Sequence, residues 1–426
     1  MRISLLLVLL AGCTASGQEV EPPLDQFFSL TAAAVSPDDN YLFVSSSNST
    51  LEYDAGVLNV VDLAKVDTMI DAWTNGGQAP DGCAGDSDHV ETLICDETRF
   101  LVTGAEVMTG NFATDIAVQD RGDGRARLII PMRGDPSVTW VDWDGAMLSC
   151  ATDSTTCDDV HRLASIHGDA TISDEPFEAY VDSANEFAVV SHFSTGVVTL
   201  VDSPRDGDAT LADAVAGLFA VDSSGYIGSS GVTGRDGLVY VASQYEDRIQ
   251  MLTVGRPVNS VPYLIQGPYF FLDAVGGNIG YSANTRSLAY SRTHPLFYDL
   301  NRDPPSLQII STETTETGDQ AHKVTAAVDI CRKSSQMAVV SSGDDERVYL
   351  TCFDDGTIQI VDPRGVPTVE RTVSVGRGLY AAVASNLRQR VYVTNFLEDT
   401  ISVLDADVTS SHYGRVVMRI GKSKPP

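Results

Sequence analysis

The chain has 426 residues, 28 Lys and Arg against 58 Asp and Glu, a formal net charge of −30 and an isoelectric point near 4.3. With no basic patch to neutralise phosphates, nucleic acid is excluded as a partner. A hydrophobic content of 43% supplies ample material for a large core, so the chain is not disordered.

Arg2 precedes an apolar run from Leu5 to Leu10, then Ala11, Gly12 and Cys13. This short run ending in small residues is expected to be a secretory signal (residues 1–12), too short to span a bilayer. Residues 13–29 carry two prolines and little apolar pattern and are expected to be a tether.

The first alternating hairpin begins at Tyr41 (YLFVSSSN) and ends at Asp62 (GVLNVVD). Period-2 alternation buries one face of each run, and a short turn between two such runs makes an antiparallel hairpin. The following stretch, 64–99, lacks a second hairpin. Val66, Met69, Ile70 and Trp73 recur at three- and four-residue spacing and stop at Gly76-Gly77, predicting one short amphipathic helix inserted outside blade one. Asp81, Asp86, Asp88 and Glu91 in this insertion offer carboxylates for calcium, or form a solvated acidic loop.

The hairpin returns at 127–144 (RLIIPMRGDPSVTWVDWD), 187–203 (FAVVSHFSTGVVTLVDS) and 238–254 (LVYVASQYEDRIQMLTV). A fifth copy is broken, with LAYSRTHP at 288–295 and PSLQIIST at 305–312. The sixth, RVYLTCFDDGTIQIVDP at 347–363, and the seventh, RVYVTNFLEDTISVLDAD at 390–407, match almost position for position. Between copies four and five, VPYLIQGPYFFLD (261–273) departs from the pattern and places four aromatics in a candidate lid or docking loop. Further turns and apolar strands flank each copy. Seven four-stranded units predict an all-β, seven-bladed propeller over 30–421, with 422–426 as a tail. The recurrent Asp62, Asp142, Asp202, Asp362 and Asp405 are expected to cap turns.

The tetrad Tyr392-Val393-Thr394-Asn395 followed by TISVLD resembles the YVTN repeat of lactonase-like seven-bladed propellers. The resemblance implies the fold; relatives include lactonases, dehydrogenase heavy chains and surface-layer proteins, so it does not select an activity. Leu10-Ala11-Gly12-Cys13 resembles a bacterial lipobox, which implies a lipid on Cys13 and, with Thr14 following, a protein anchored at the cell envelope in the outer membrane. Six cysteines then remain in an exported chain, and their sequence-local couples predict Cys83–Cys95, Cys150–Cys157 and Cys331–Cys352.

No catalytic, nucleotide-binding or zinc motif is present, and no cofactor is expected. Function in a propeller sits where turns converge on the central funnel. The hairpin turns nominate Arg133, His192, Gln244, Arg292, His294 and Asn395; two His and two Arg suit a carboxylate-bearing ligand, against ordinary polar turn residues. The expected function is a binding or interaction module for a protein or small molecule. The alternatives are a lactonase-like hydrolase acting on a small acidic or carbohydrate-derived ester, and a subunit of an envelope redox complex.

Overall fold

The computed structural model describes residues 20–152, 154–166, 170–219, 228–258, 260–272, 284–314, 316 and 322–422. The expected lipidation site Cys13 and its signal lie outside them. Seven of the eight sheets formed by the described residues are arranged as the blades of a propeller, each built on four antiparallel strands; the eighth is a two-stranded pair, Ser165–Ile166 with Ala170–Thr171.

Blade one comprises Leu30–Val35, Tyr41–Ser46, Gly56–Asp62 and Val107–Thr109; blade two, Ala117–Gly122, Arg125–Met132, Ser137–Trp143 and Leu148–Ser149. Blade three is Pro176–Asp182, Phe187–His192, Val198–Asp202 and Thr210–Val215; blade four, Ser229–Arg235, Leu238–Ser243, Arg248–Gly255 and Tyr263–Phe271. Blade five is Thr285–Tyr290, Leu296–Arg302, Pro305–Ser311 and Lys323–Asp329; blade six, Ser334–Ser342, Asp345–Cys352, Thr357–Asp362 and Thr368–Ser374. Blade seven is Leu379–Ser385, Arg390–Asn395, Thr400–Asp405 and Val416–Ile420. The first strand of each blade faces the axis.

Both faces of every blade are apolar because each packs on a neighbour, and seven buried clusters fill the seven gaps. The tetrad tyrosine explains its own recurrence. Tyr240, Tyr298, Tyr349 and Tyr392, on the second strands of blades four to seven, are fully buried, each in the gap toward the next blade.

Blade five corrects the sequence reading. LAYSRTHP is not the first half of its hairpin but the inner strand and the turn after it. The hairpin proper runs from Leu296 to Ser311, with Arg302 paired to Pro305 around Asp303-Pro304. The tetrad in this blade is Tyr298-Asp299-Leu300-Asn301.

The insertion does more than decorate blade one. Its helix α1 spans Leu63–Thr74, capped by Asp62 Oδ1, which accepts from Ala64 N at 3.0 Å and Lys65 N at 3.2 Å. Val66 and Ile70 are buried in the gap between blades one and seven, with Met69 and Trp73 packed beside them. Beyond the helix, Leu93–Cys95 pairs in parallel with Met418–Ile420 on the outer edge of blade seven, and Cys83–Gly85 pairs with Leu93–Cys95 in turn. Chain from blade one therefore clamps the last blade. On the inner side Ser29 N donates to Asp399 Oδ1 at 2.5 Å, closing the same junction.

All three expected disulfides are present: Cys83–Cys95, Cys150–Cys157 and Cys331–Cys352, with Cα separations of 4.1, 4.7 and 5.9 Å. The first fastens the two strands of the clamp. Segment 261–273 is not a loop over its described part; Tyr263–Phe271 is the outer strand of blade four, with a bulge at Gly267-Pro268. Phe270 packs inward and stacks on His322 at 4.8 Å. Tyr263, Tyr269 and Phe271 stay about half exposed on the rim. Two of the four acidic residues nominated in the insertion are held by this chain's own cations: Glu91 pairs with Arg415, and Asp86 lies 3.8 Å from Arg419 Nη1.

Candidate functional site: the arginine mouth of the central channel

Antiparallel strands put the turns between second and third strands at one mouth of the channel, with the starts of the inner strands. The turns between first and second strands lie at the other mouth. Arg133, His192, Gln244 and Asn395 end second strands or begin the turn after them, so they share the first mouth. Arg292 and His294 lie in the turn between the first and second strands of blade five and so belong to the opposite mouth. The six nominated residues do not converge, and the positional counterpart of Arg133 in blade five is Arg302.

Most of the nominated residues are also consumed by the scaffold. His192 is fully buried; Nδ1 lies 3.0 Å from Asp174 O and Nε2 2.8 Å from Thr199 Oγ1. Burial pushes its pKa down to about 4, so the ring is neutral. Asn395, at the same place in blade seven, donates from Nδ2 to Thr400 Oγ1 at 2.9 Å and Ser402 Oγ at 2.8 Å. Gln244 Nε2 donates to Phe193 O. His192 and Asn395 hold their hairpins to their turns, and Gln244 ties blade four to blade three. Arg292 is exposed at the far rim, with its backbone N–H on Glu346 Oε2 at 2.8 Å.

A different set converges. Arg286 stands at the second position of the inner strand of blade five, where blades three and seven carry Phe177 and Tyr380. Its guanidinium lies 4.9 Å from the Phe177 ring and 4.7 Å from Phe193. Arg133, on blade two, lies 5.0 Å from the other partner of that pair, Phe193, and 5.5 Å from Phe112. Arg302 donates from Nε to Ser334 O at 2.7 Å and from Nη2 to Ser335 Oγ at 3.2 Å, at the start of blade six. Residues of blades two, three, five and seven can come together only at the axis.

Compensation within this cluster is unequal. Arg133 pairs with Glu175, Nε to Oε1 at 2.9 Å. Among the described residues Arg286 and Arg302 form no ion pair, and Arg286 Nε is buried without a hydrogen-bond partner. Burial pushes the Arg286 pKa down to about 10, and its neighbour Arg302 pushes the same way, yet it stays protonated at neutral pH. Tyr380 lies beside all three guanidiniums, its phenol held neutral by burial.

Deeper in the channel lie two carboxyls. Glu178 reaches across blade four to blade five: Oε2 accepts from Val232 N at 2.8 Å and Oε1 from Ser287 Oγ at 3.0 Å. Asp115 Oδ2 accepts from Ala179 N at 2.9 Å. Burial raises Asp115 to about 6 and, with the Asp115 charge beside it, lifts Glu178 well above the ordinary carboxylate range. Arg286 pulls Glu178 the other way. Below the pair the channel widens into a cavity of about 700 Å³ that opens at the Arg292 rim. The mouth therefore offers two guanidiniums that form no ion pair among the described residues and suit a carboxylate or phosphate, aromatic faces beside them, and a carboxyl raised by burial.

No protein-family model and no curated protein matches the chain. Among solved structures, a Bacteroides uniformis protein inferred to be a 6-phosphogluconolactonase superposes with a TM-score of 0.58 at 12% identity, over 89% of this chain and 97% of that one. A Bacteroides fragilis protein of the same description gives 0.57 at 12%, over 90% and 98%. The periplasmic gluconolactonase of Pseudomonas aeruginosa gives 0.51 at 12%, over 81% and 85%. At these identities the likeness is one of fold: the chain is a seven-bladed propeller whose structural neighbours include lactonase-like propellers.

Proposed function

We propose that the chain is a lactonase-type hydrolase acting on a small acidic, carbohydrate-derived ester held in the arginine mouth. The observation that carries this reading is the pair Arg286 and Arg302, which form no ion pair among the described residues at the axis of a molecule of net charge −30. Cations placed in such a molecule with no direct carboxylate contact suit an anion. The neighbouring lactonase folds add weight to ester hydrolysis over a bare binding role.

In this reading Arg302 and Arg133 orient the acidic group of the substrate, and Arg286 faces the ester carbonyl. Asp115, as carboxylate, takes a proton from a water while its oxygen bonds to the carbonyl carbon. Arg286 stabilises the oxyanion so formed. Collapse breaks the bond to the ring oxygen, the Asp115 proton passes to that oxygen, and a hydroxy acid leaves. Glu178 positions Arg286 and keeps Asp115 poised.

The same proposal places the molecule at the cell envelope, tethered through Cys13; its support is the lipobox-like string in the sequence. The test of activity is a panel of acidic and neutral sugar lactones, followed by proton release at constant pH. Turnover that disappears in Asp115→Asn, with the fold intact, supports the reading. Tight binding of the hydroxy acids with no turnover of any lactone would leave a binding module instead.

A further inference from the structure

We infer that the channel mouth takes up its anion together with a proton, because the anion and the Asp115–Glu178 pair compete for the same guanidinium. The inference rests on the anion site proposed above and adds its regulation.

Glu178 reaches Ser287, the residue after Arg286 on blade five, at 3.0 Å, and the N–H of its own neighbour Ala179 holds Asp115 of blade two at 2.9 Å, so the pair and the guanidinium feel one another's charge. Its oxygens are fixed by Val232 N and Ser287 Oγ, so it cannot swing away when the occupancy of the mouth changes. Asp115 is fixed at one oxygen by Ala179 N. The other charged and titratable groups that bear on the pair are few. Arg133 on blade two, Arg302 on blade five and Tyr380 on blade seven sit above it. Asp39, Asp120 and Arg292 line the cavity below, with Tyr180 and Tyr290, whose phenols burial keeps neutral. Among the described residues, then, Arg286 is the cation closest in effect to Glu178, and a ligand anion on Arg286 withdraws that compensation.

Two consequences follow from reciprocity. An anion on Arg286 raises the proton affinity of the pair, and protonation of the pair raises the affinity of Arg286 for anions by the same factor. Couplings of this kind change affinity by roughly 5- to 150-fold. The burial that lifts Asp115 to about 6 places the effect within reach of ordinary conditions. His192, which ends a second strand at this mouth, is pushed down to about 4 by burial and contributes nothing above about pH 5.

The experiment is calorimetric titration of the whole protein with sulfate and with gluconate, neither of which titrates above about pH 5. It is repeated in buffers of different ionisation enthalpy to count protons. The expected result is net uptake of a fraction of a proton per anion near pH 6.5, and affinity about tenfold weaker at pH 7.5 than at pH 5.5. In Asp115→Asn with Glu178→Gln, whatever the affinity that remains, anion binding should take up no proton and should not vary between about pH 5.5 and 7.5. Binding by the wild-type protein with no proton exchange and no pH dependence overturns the coupling and leaves the site. Absence of binding at any pH overturns both. Should the double variant fail to fold, the wild-type proton count alone decides the matter.

Discussion

Asp299 is the buried charge with the clearest stability signature. It occupies the tetrad position filled by Val241 in blade four, Leu350 in blade six and Val393 in blade seven, and it is fully buried. Thr285 Oγ1 donates to Oδ1 at 2.8 Å and Asn301 Nδ2 to Oδ2 at 2.5 Å, but among the described residues no cation pairs with it. Burial raises its pKa from near 3.8 to about 7. Because the folded chain holds this proton more tightly than the unfolded chain, the contribution is full below about pH 4. It is lost as pH rises toward 7. At 1.36 kcal/mol per pH unit the loss is roughly 4 kcal/mol. Asp299→Asn removes the titration at the cost of one acceptor, about 1 kcal/mol. The variant should therefore be slightly less stable than wild type near pH 4 and about 3 kcal/mol more stable near pH 8. Urea denaturation of both proteins across that range reads the difference directly. Parallel stability curves for the two proteins would refute the reasoning.

The clamp supplies a second prediction. Replacing Cys83 and Cys95 by Ser opens a short loop and should cost about 2–3 kcal/mol. Hydrogen exchange should rise selectively in Leu93–Cys95 and Val416–Ile420, whereas uniform exchange across all seven blades would contradict a local role. His192→Asn should keep the fold within about 1 kcal/mol, since Asn395 performs the same task in blade seven, and a loss of several kcal/mol by calorimetry would show otherwise. Cys13→Ser should leave an unprocessed precursor; mass spectrometry finding a mature free amine beyond Cys13 and no lipid mass would dispose of the anchor.

Much of the fold was legible because a propeller repeats its instructions. Alternation around Tyr392 and Tyr349, closing Asp residues and short turns all recur, and local couples of cysteines proved to be bonded. Blade five was misplaced because Asp299 interrupts the apolar alternation and the turn has only two residues. Tyr298 and Asn301 were the surviving marks of its tetrad. The clamp was invisible because parallel pairing of Leu93–Cys95 with a strand more than 300 residues away leaves no local pattern. The site was legible only at Arg133. Polar residues at the ends of second strands are spent on tying their own hairpins, as His192 and Asn395 show. The channel is lined instead by the beginnings of inner strands, where Arg286, Phe177 and Tyr380 occupy one equivalent position. Aligning those starts across blades, rather than the hairpin turns, would have exposed the arginine.

The proposed activity requires an anion seated between Arg286 and Arg302. Its most direct test is a crystal structure of the protein saturated with gluconate. The expected result is a carboxylate within hydrogen-bond distance of both guanidiniums, beneath Phe193 and beside Tyr380, and lost in Arg286→Met crystals of unchanged fold. An empty mouth at saturating gluconate, or gluconate bound only elsewhere on the surface, would contradict it.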